Sequence, residues 1–421
     1  MSEKLFKGKR EEPVAAARLG GDPLGVHLDS VARSLVDLGY TSSTVRTHLW
    51  CLADFRGWME RSDVGVGDLD DRVVDTFIDE RRRQGRLHRS HRVAIRRLLQ
   101  HLRDRGIVRV PTPEQTGEPL PAPARMVSQY EEYLRAERGL AGATVVGYRP
   151  YVCRFVEERF GEQPLRLGEL GPRDISIFII RHAHSMSPGT AKLMVTALRS
   201  FFRFLFQRGQ IEANLAEAVP AVADWRLSTV PKYLRAEEID RLLDACDQST
   251  STGRRDYAIL VLLARLGLRA GEVVALELND IDWRTGEIVV RGKGLLHDRL
   301  PLLPEVGEAL AAYLRRDRPP VSTRRVFVRM KAPLRGFARA STVSTLVRRA
   351  LERAGLNPLA KGAHLLRHSL ATGMLRSGAS MAEIGEILRH RSPNTTEIYA
   401  KVDVAGLSSL AQPWPVAGGG R

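Results

Sequence analysis

The C-terminal stretch His364-Leu365-Leu366-Arg367-His368, followed by Arg389-His390 and then by Tyr399, decides how this chain is read. An Arg flanked by two His on helical sequence, with a lone Tyr downstream, offers donors suited to a phosphate and a phenol able to attack one. His364 and Arg367 stand three apart, so on a helix both project from one face. The planar guanidinium binds phosphate bidentately and keeps its charge, while a neighbouring His donates or accepts a proton. The constellation holds no carboxylate suited to a catalytic metal, no Cys pair and no glycine-rich phosphate loop. Neither a metal nor a cofactor is expected.

Working outward, 421 residues favour two or three domains, with 43% hydrophobic and 27% charged residues as in ordinary globular chains. The longest apolar run, Ala258 to Ala264, ends at Arg265, far short of the roughly 20 residues that cross a bilayer. No secretory signal follows Met1-Ser2-Glu3-Lys4, and Cys51, Cys153 and Cys246 are too scattered for a disulfide framework or a zinc site. A reducing, cytoplasmic, nucleoid-associated setting is expected, with no membrane partner. Against 49 acidic residues stand 65 basic ones, a net charge of +16 that favours a polyanion, nucleic acid first. From Arg81 to Arg105 there are ten Arg and one acid, Asp104. Their alternation with Val93, Ile95, Leu98, Leu99 and Leu102 predicts an amphipathic helix whose polar face is cationic throughout.

Two breaks divide the chain. Residues 109–125 carry Pro111, Pro113, Pro119, Pro121 and Pro123, an extended spacer predicted to be non-helical. A shorter break spans Pro220 to Pro231. The parts before and after the first break resemble each other. Gly39, Thr44, Val45 and Phe55 recur as Gly139, Thr144, Val145 and Phe155, and Arg96, Leu102, Arg105 and Gly106 recur as Arg199, Leu205, Arg208 and Gly209. Both parts read as helical and end in a basic helix closed by Gly. The predicted domains are therefore a helical module at 25–108, a linker at 109–125, a second helical module at 126–216 and a last domain at 231–413. In that last domain an apolar helix is predicted from Asp256 to Leu268. Three short strands follow, at Ile281–Trp283, Glu287–Arg291 and Arg299–Leu302, and then helix to Tyr399 and beyond. The fold class is mainly α with one small antiparallel sheet, an α+β layout, preceded by all-α modules.

The last domain resembles the catalytic domain of the tyrosine recombinase (phage integrase) family. The resemblance rests on Ala264-Arg265-Leu266-Gly267-Leu268-Arg269-Ala270-Gly271-Glu272, on His364 through Thr372, on Ile387 through Ser392 and on Thr395 through Tyr399. The hairpin Arg291-Gly292-Lys293-Gly294 resembles the family's lysine hairpin, and residues from about Met126 to Asn214 are similar to its helical SAM-like core-binding domain. This resemblance implies that Tyr399 attacks a DNA phosphate, giving a 3′-phosphotyrosyl link and a free 5′-hydroxyl. It further implies that Arg269 and Arg367 clamp the non-bridging oxygens and that Lys293 is the general acid. His364 and His390 would bond the phosphate and assist proton transfer, and Glu272 would orient Arg269 or its neighbours. No ATP and no metal are implied, because the covalent intermediate stores the bond energy.

The implied partner is double-stranded DNA with specific recombination sites, bound by a homotetramer that is monomeric off DNA. Residues Val402 to Pro413 resemble the family's C-terminal helix that docks on a neighbouring subunit, and their apolar Val402, Val404, Leu407 and Leu410 suit packing within the same chain equally well. Arg89, Arg92, Arg96, Arg199 and Arg203 are candidate DNA contacts on the two helical modules. Type IB topoisomerase activity and DNA binding without catalysis remain the alternatives. His368 reads as structural, lying on a different helix face from Arg367, and His297 as solvated. One residue departs from the family pattern: Arg389 stands where Gly is usual, either altering a tight turn or adding a phosphate contact.

Overall fold

The computed structural model describes residues 24–108, 121–161, 164–222, 230–292 and 297–403. Lys293, residues 109–120 of the spacer and the segment from residue 404 onward lie outside them.

Four helices make the first module: α1 (Gly25–Asp37), α2 (Ser42–Arg61), α3 (Asp71–Arg83) and α4 (His91–Asp104). Side-chain oxygens start two of them, since Thr41 Oγ1 accepts from the Thr44 amide at 3.3 Å and Asp70 Oδ1 from the Val73 amide at 2.8 Å. Leu35, Leu52, Phe55, Phe77, Leu98 and Leu102 fill the core between them. The arginine run is thus two helices rather than one, and its polar face is not cationic throughout. Arg81 points inward, its Nε and Nη2 forking onto the Asp54 carboxylate at 2.9 and 2.7 Å. Arg92 pairs with Asp75 at 2.9 Å and Arg103 with Asp71 at 2.7 Å. Arg89 and Arg96 are exposed. The helical period of the sequence left these acidic partners out of account.

A second unit runs from α5 (Ala122–Glu132) through α6 (Gly142–Phe160) and α7 (Pro172–Ala183) to α8 (Pro188–Gln207). Here α5 begins inside the stretch read as non-helical, because Pro123 sits in the first turn, where its missing N–H costs nothing. Phe155, Phe178, Phe201, Phe202 and Phe204 are buried, each contributing about 1.5–3 kcal/mol. The order of α-helices matches the first module, down to a 3₁₀ turn before the third helix and left-handed Gly39 and Gly139 before the second, while among the described residues a π-helical segment at Tyr133–Glu137 is particular to this unit. Arg203 is exposed, whereas Arg199 donates to Val219 O at 2.9 Å.

The remaining helices are α9 (Ala236–Asp244), α10 (Ser251–Arg265), α11 (Ala270–Ala275), α12 (Pro304–Arg316), α13 (Ser341–Arg353), α14 (Ala363–Arg376) and α15 (Met381–Ile387). As the patterning predicts, the chain is mainly helical with one small antiparallel sheet. Its strands β1 (Ile281–Asp282), β2 (Glu287–Arg291) and β3 (His297–Pro301) pair in the order β1-β2-β3, with Ile288 opposite both Ile281 and Leu300. The apolar helix starts earlier and ends sooner than expected, and every residue from Ala258 to Ala264 is buried, the mark of a central helix packed on all sides. Tyr399 lies on a 3₁₀ segment, Glu397–Val402, not on an α-helix. The first module and this domain meet where the Leu334 amide donates to Leu38 O at 2.8 Å. Among the described residues, no helix is long and apolar enough to cross a membrane.

Candidate active site

The site forms where α10 stops. Gly267 adopts φ +58°, a left-handed conformation that Gly takes at no steric cost, and a Cβ there would lie 2.8 Å from Leu388 and 3.0 Å from Leu370. This reversal brings Arg269 to the start of α11. Three residues on, Glu272 reaches back. Its Oε2 accepts from the Arg269 amide at 2.8 Å and its Oε1 from Arg269 Nη1 at 2.6 Å, a carboxylate satisfying a helix N-terminus.

Arg367 enters from α14. Its side chain is buried, with Nη1 donating to Gly267 O and Nη2 to Leu388 O. Backbone from both sides of the site therefore fixes this guanidinium. Burial lowers its pKa to about 10, helped by repulsion from Arg269 and Arg389, which still leaves it charged near neutrality. Arg269 is the open one of the pair, its side chain 39% exposed, and its Nη2 donates to Arg389 O at 3.3 Å.

Arg389, in the turn after α15, has φ +56° and a side chain only 5% exposed. Its Nη2 donates to Glu272 Oε2 at 2.9 Å and its Nη1 to Ile387 O at 3.1 Å. Of the two expectations for this residue, the altered turn is not needed, since the left-handed backbone that Gly would supply is kept. The side chain folds inward onto Glu272 rather than outward. Burial works to raise the Glu272 pKa. The Arg269 amide and the Arg389 and Arg269 guanidiniums outweigh it, so the carboxyl is held below its usual range.

The other half of the site is neutral. Tyr399 is 1% exposed and packs with Ala371, Ile384 and Leu388 in a small cluster apart from the main core. Burial raises its phenol to a pKa of about 12 against the opposing pull of Arg367. Its hydroxyl lies 2.8 Å from His368 Nδ1, so His368, set aside from sequence, is the imidazole that touches the phenol. The available signal was spacing: His364 and His368 stand one helical turn apart, and their rings lie 6.5 Å apart. His390 Nδ1 lies 2.8 Å from Oγ1 of buried Thr396, a partner that sequence reasoning missed. Burial and the charges of Arg367 and Arg269 lower the His390 pKa to about 4. His364 is lowered for the same reasons, and His368 by burial and by His364 and Arg367. All three imidazoles are thus kept neutral around a cationic pocket. The arrangement can receive an anion on its arginine side and a proton on its histidine side.

Among the described residues, no group of three or more His, Cys, Asp and Glu side chains could hold a metal ion. Two family descriptions match the chain: "Phage integrase family" over residues 232–405, and "Phage integrase, N-terminal SAM-like domain" over residues 127–209. The putative integrase/recombinase y4rA of Sinorhizobium fredii is 42% identical over 403 residues, covering 95% of this chain and 97% of that protein. The chain belongs to the tyrosine recombinase (phage integrase) family. Tyrosine recombinase XerD of Mycobacterium tuberculosis is 32% identical to this recombinase, covering 68% of this chain and 96% of its own. The y4rA likeness thus extends over sequence that the XerD likeness leaves out. Among solved structures, the XerH site-specific recombinase in a post-cleavage complex with a palindromic difH substrate shares the fold. It has a TM-score of 0.55 and 23% identity, with 68% of this chain and 83% of that chain covered.

Proposed function

We propose that this recombinase cuts and rejoins DNA at specific sites through Tyr399. The observation that carries the reading is the placement of a buried phenol beside His368, next to a pocket in which Arg367 and Arg269 are already fixed. The Tyr399 oxygen attacks the scissile phosphorus, a new P–O bond forms, and the bond to the 5′-oxygen breaks. The phenolic proton passes to an imidazole, His368 in the resting geometry, with His364 and His390 bonding the phosphate. Arg269 and Arg367 take the charge that develops on the non-bridging oxygens. Lys293, carried by the connection between β2 and β3, is proposed to protonate the leaving 5′-oxygen, and Glu272 to orient Arg269.

The proposed substrate is duplex DNA with paired recombination sites, held by a tetramer assembled on DNA from monomers. The proposed division of the chain is a DNA-binding module at 25–108, a spacer at 109–125, a core-binding domain at 126–216 and the catalytic domain at 231–413. The shared order of α-helices in the two helical segments supports reading them as duplicates. Arg89, Arg96 and Arg203 are exposed and stand ready for phosphates, while Arg92 and Arg199 are engaged within the fold.

The test is covalent capture. The full chain is incubated with a pool of duplexes nicked just 3′ of a randomised core, so that cleavage releases a short 5′-hydroxyl strand and traps the enzyme. A denaturant-resistant adduct mapping to Tyr399, and absent from Tyr399→Phe, is the expected result. No adduct with the wild type, or one with the Phe variant, ends the proposal.

A further inference from the structure

Glu272 presents an electrostatic difficulty for the mechanism above, on which this inference rests. A carboxylate bonded to Arg269 cancels the charge that Arg269 brings to the phosphate. Were these two the whole cluster, Arg367 would be left as the net cation. The structure adds a third guanidinium. Arg389 Nη2 shares Glu272 Oε2 with the Arg269 amide, so one carboxylate serves two arginines and the trio stays positive. Together with Arg367, these four side chains carry two net positive charges. A phosphodiester brings one negative charge, and the five-coordinate phosphorus formed by Tyr399 attack spreads two over its oxygens.

We propose that Arg389 is a positioning residue that offsets the charge of Glu272, leaving Arg269 free to act as a full cation on the scissile phosphate. Its buried side chain does not reach outward to DNA, so its effect runs through Glu272. Two further observations favour this reading over a filler role. The backbone keeps a left-handed φ of +56° with a residue that disfavours it, a strain that calls for compensation from the side chain. The Arg389 Nε is buried without a hydrogen-bond acceptor and lies 3.9 Å from Asp298 Oδ2 on β3, so Asp298 adds attraction without saturating the guanidinium.

The test uses the duplex recovered by covalent capture, made with an ordinary scissile phosphate or with a methylphosphonate, which lacks one anionic oxygen. Arg389→Gly, which suits the left-handed backbone, is expected to stay folded and to cleave the phosphate about 10- to 100-fold more slowly. On the methylphosphonate, where less charge develops, the gap to wild type should shrink to a few-fold. Arg389→Lys, retaining charge without the fork, should recover part of the loss. An equal loss on both substrates, or no loss on either, overturns the proposal. A wild type that forms no adduct defeats the proposed function rather than this inference. The contact itself is then decided by urea unfolding of Arg389→Gly, Glu272→Gln and the double variant, where additive effects overturn the proposal and a smaller-than-additive loss supports it.

Discussion

The active site has two unlike halves. Around Glu272, three arginines and one carboxylate are held by backbone carbonyls and by one another, charged and assembled before any substrate arrives. Around Tyr399, the phenol and the three imidazoles are kept neutral: the phenol is pushed up to about 12, His390 down to about 4, and His364 and His368 down as well. The lesson is that the first half is preorganised for the anion, whereas the second depends on the anion to change its protonation. A phosphate in the pocket supplies the negative charge that desolvated imidazoles lack, and it thereby raises their proton affinity.

The largest expected effect comes from breaking the charged half. Arg367→Ala removes a buried guanidinium bonded to Gly267 O and Leu388 O, and cleavage should fall about 10²- to 10³-fold. Single-turnover rates on the captured duplex measure it, and a loss below about fivefold would mean that the phosphate sits elsewhere.

An intermediate effect sharpens the contrast by titrating the neutral half. Free His390 and His364 have lowered pKa values, so binding an anion takes up protons between the free and bound values. DNA affinity should therefore rise, by up to about tenfold, as pH falls from about 7 to about 5. Fluorescence anisotropy at constant salt reads this change, and the paired variant His364→Asn/His390→Asn should flatten it. A slope that survives in the paired variant places the proton uptake elsewhere than on these two imidazoles, with His368 the remaining one in the site.

The smallest effect concerns stability without DNA. The folded pKa of His390, about 4, lies below that of the unfolded chain, so at low pH the unfolded state binds the extra proton. The contribution is complete above about pH 6.5 and is lost progressively as pH falls toward 4. Urea midpoints at pH 7.5 and 5.0 should differ less in His390→Asn than in the wild type. Equal differences would show that His390 is solvated and ordinary.

Much of this was legible in the sequence because it follows from spacing along one helix. His364 and Arg367 share α14, and Arg269 and Glu272 share the first turn of α11, so residue offsets alone place them. Contacts that cross the chain were not legible. His368 meets Tyr399 across 31 positions and Arg389 meets Glu272 across 117, and no period links such pairs. The same limit explains the first module. The helical repeat of Ile95, Leu98 and Leu102 is visible, but the inward turn of Arg81 depends on Asp54, which α2 supplies from 27 residues away.

Gly267 carries a consequence of another kind. It has no side chain to offer a substrate, yet its carbonyl receives Arg367 and its bare α-carbon lets Leu388 and Leu370 close over the turn. A genetic screen for inactive alleles would recover this position beside Tyr399 and the arginines. Its phenotype would look like that of a chemical residue, although what is lost is the room the others need.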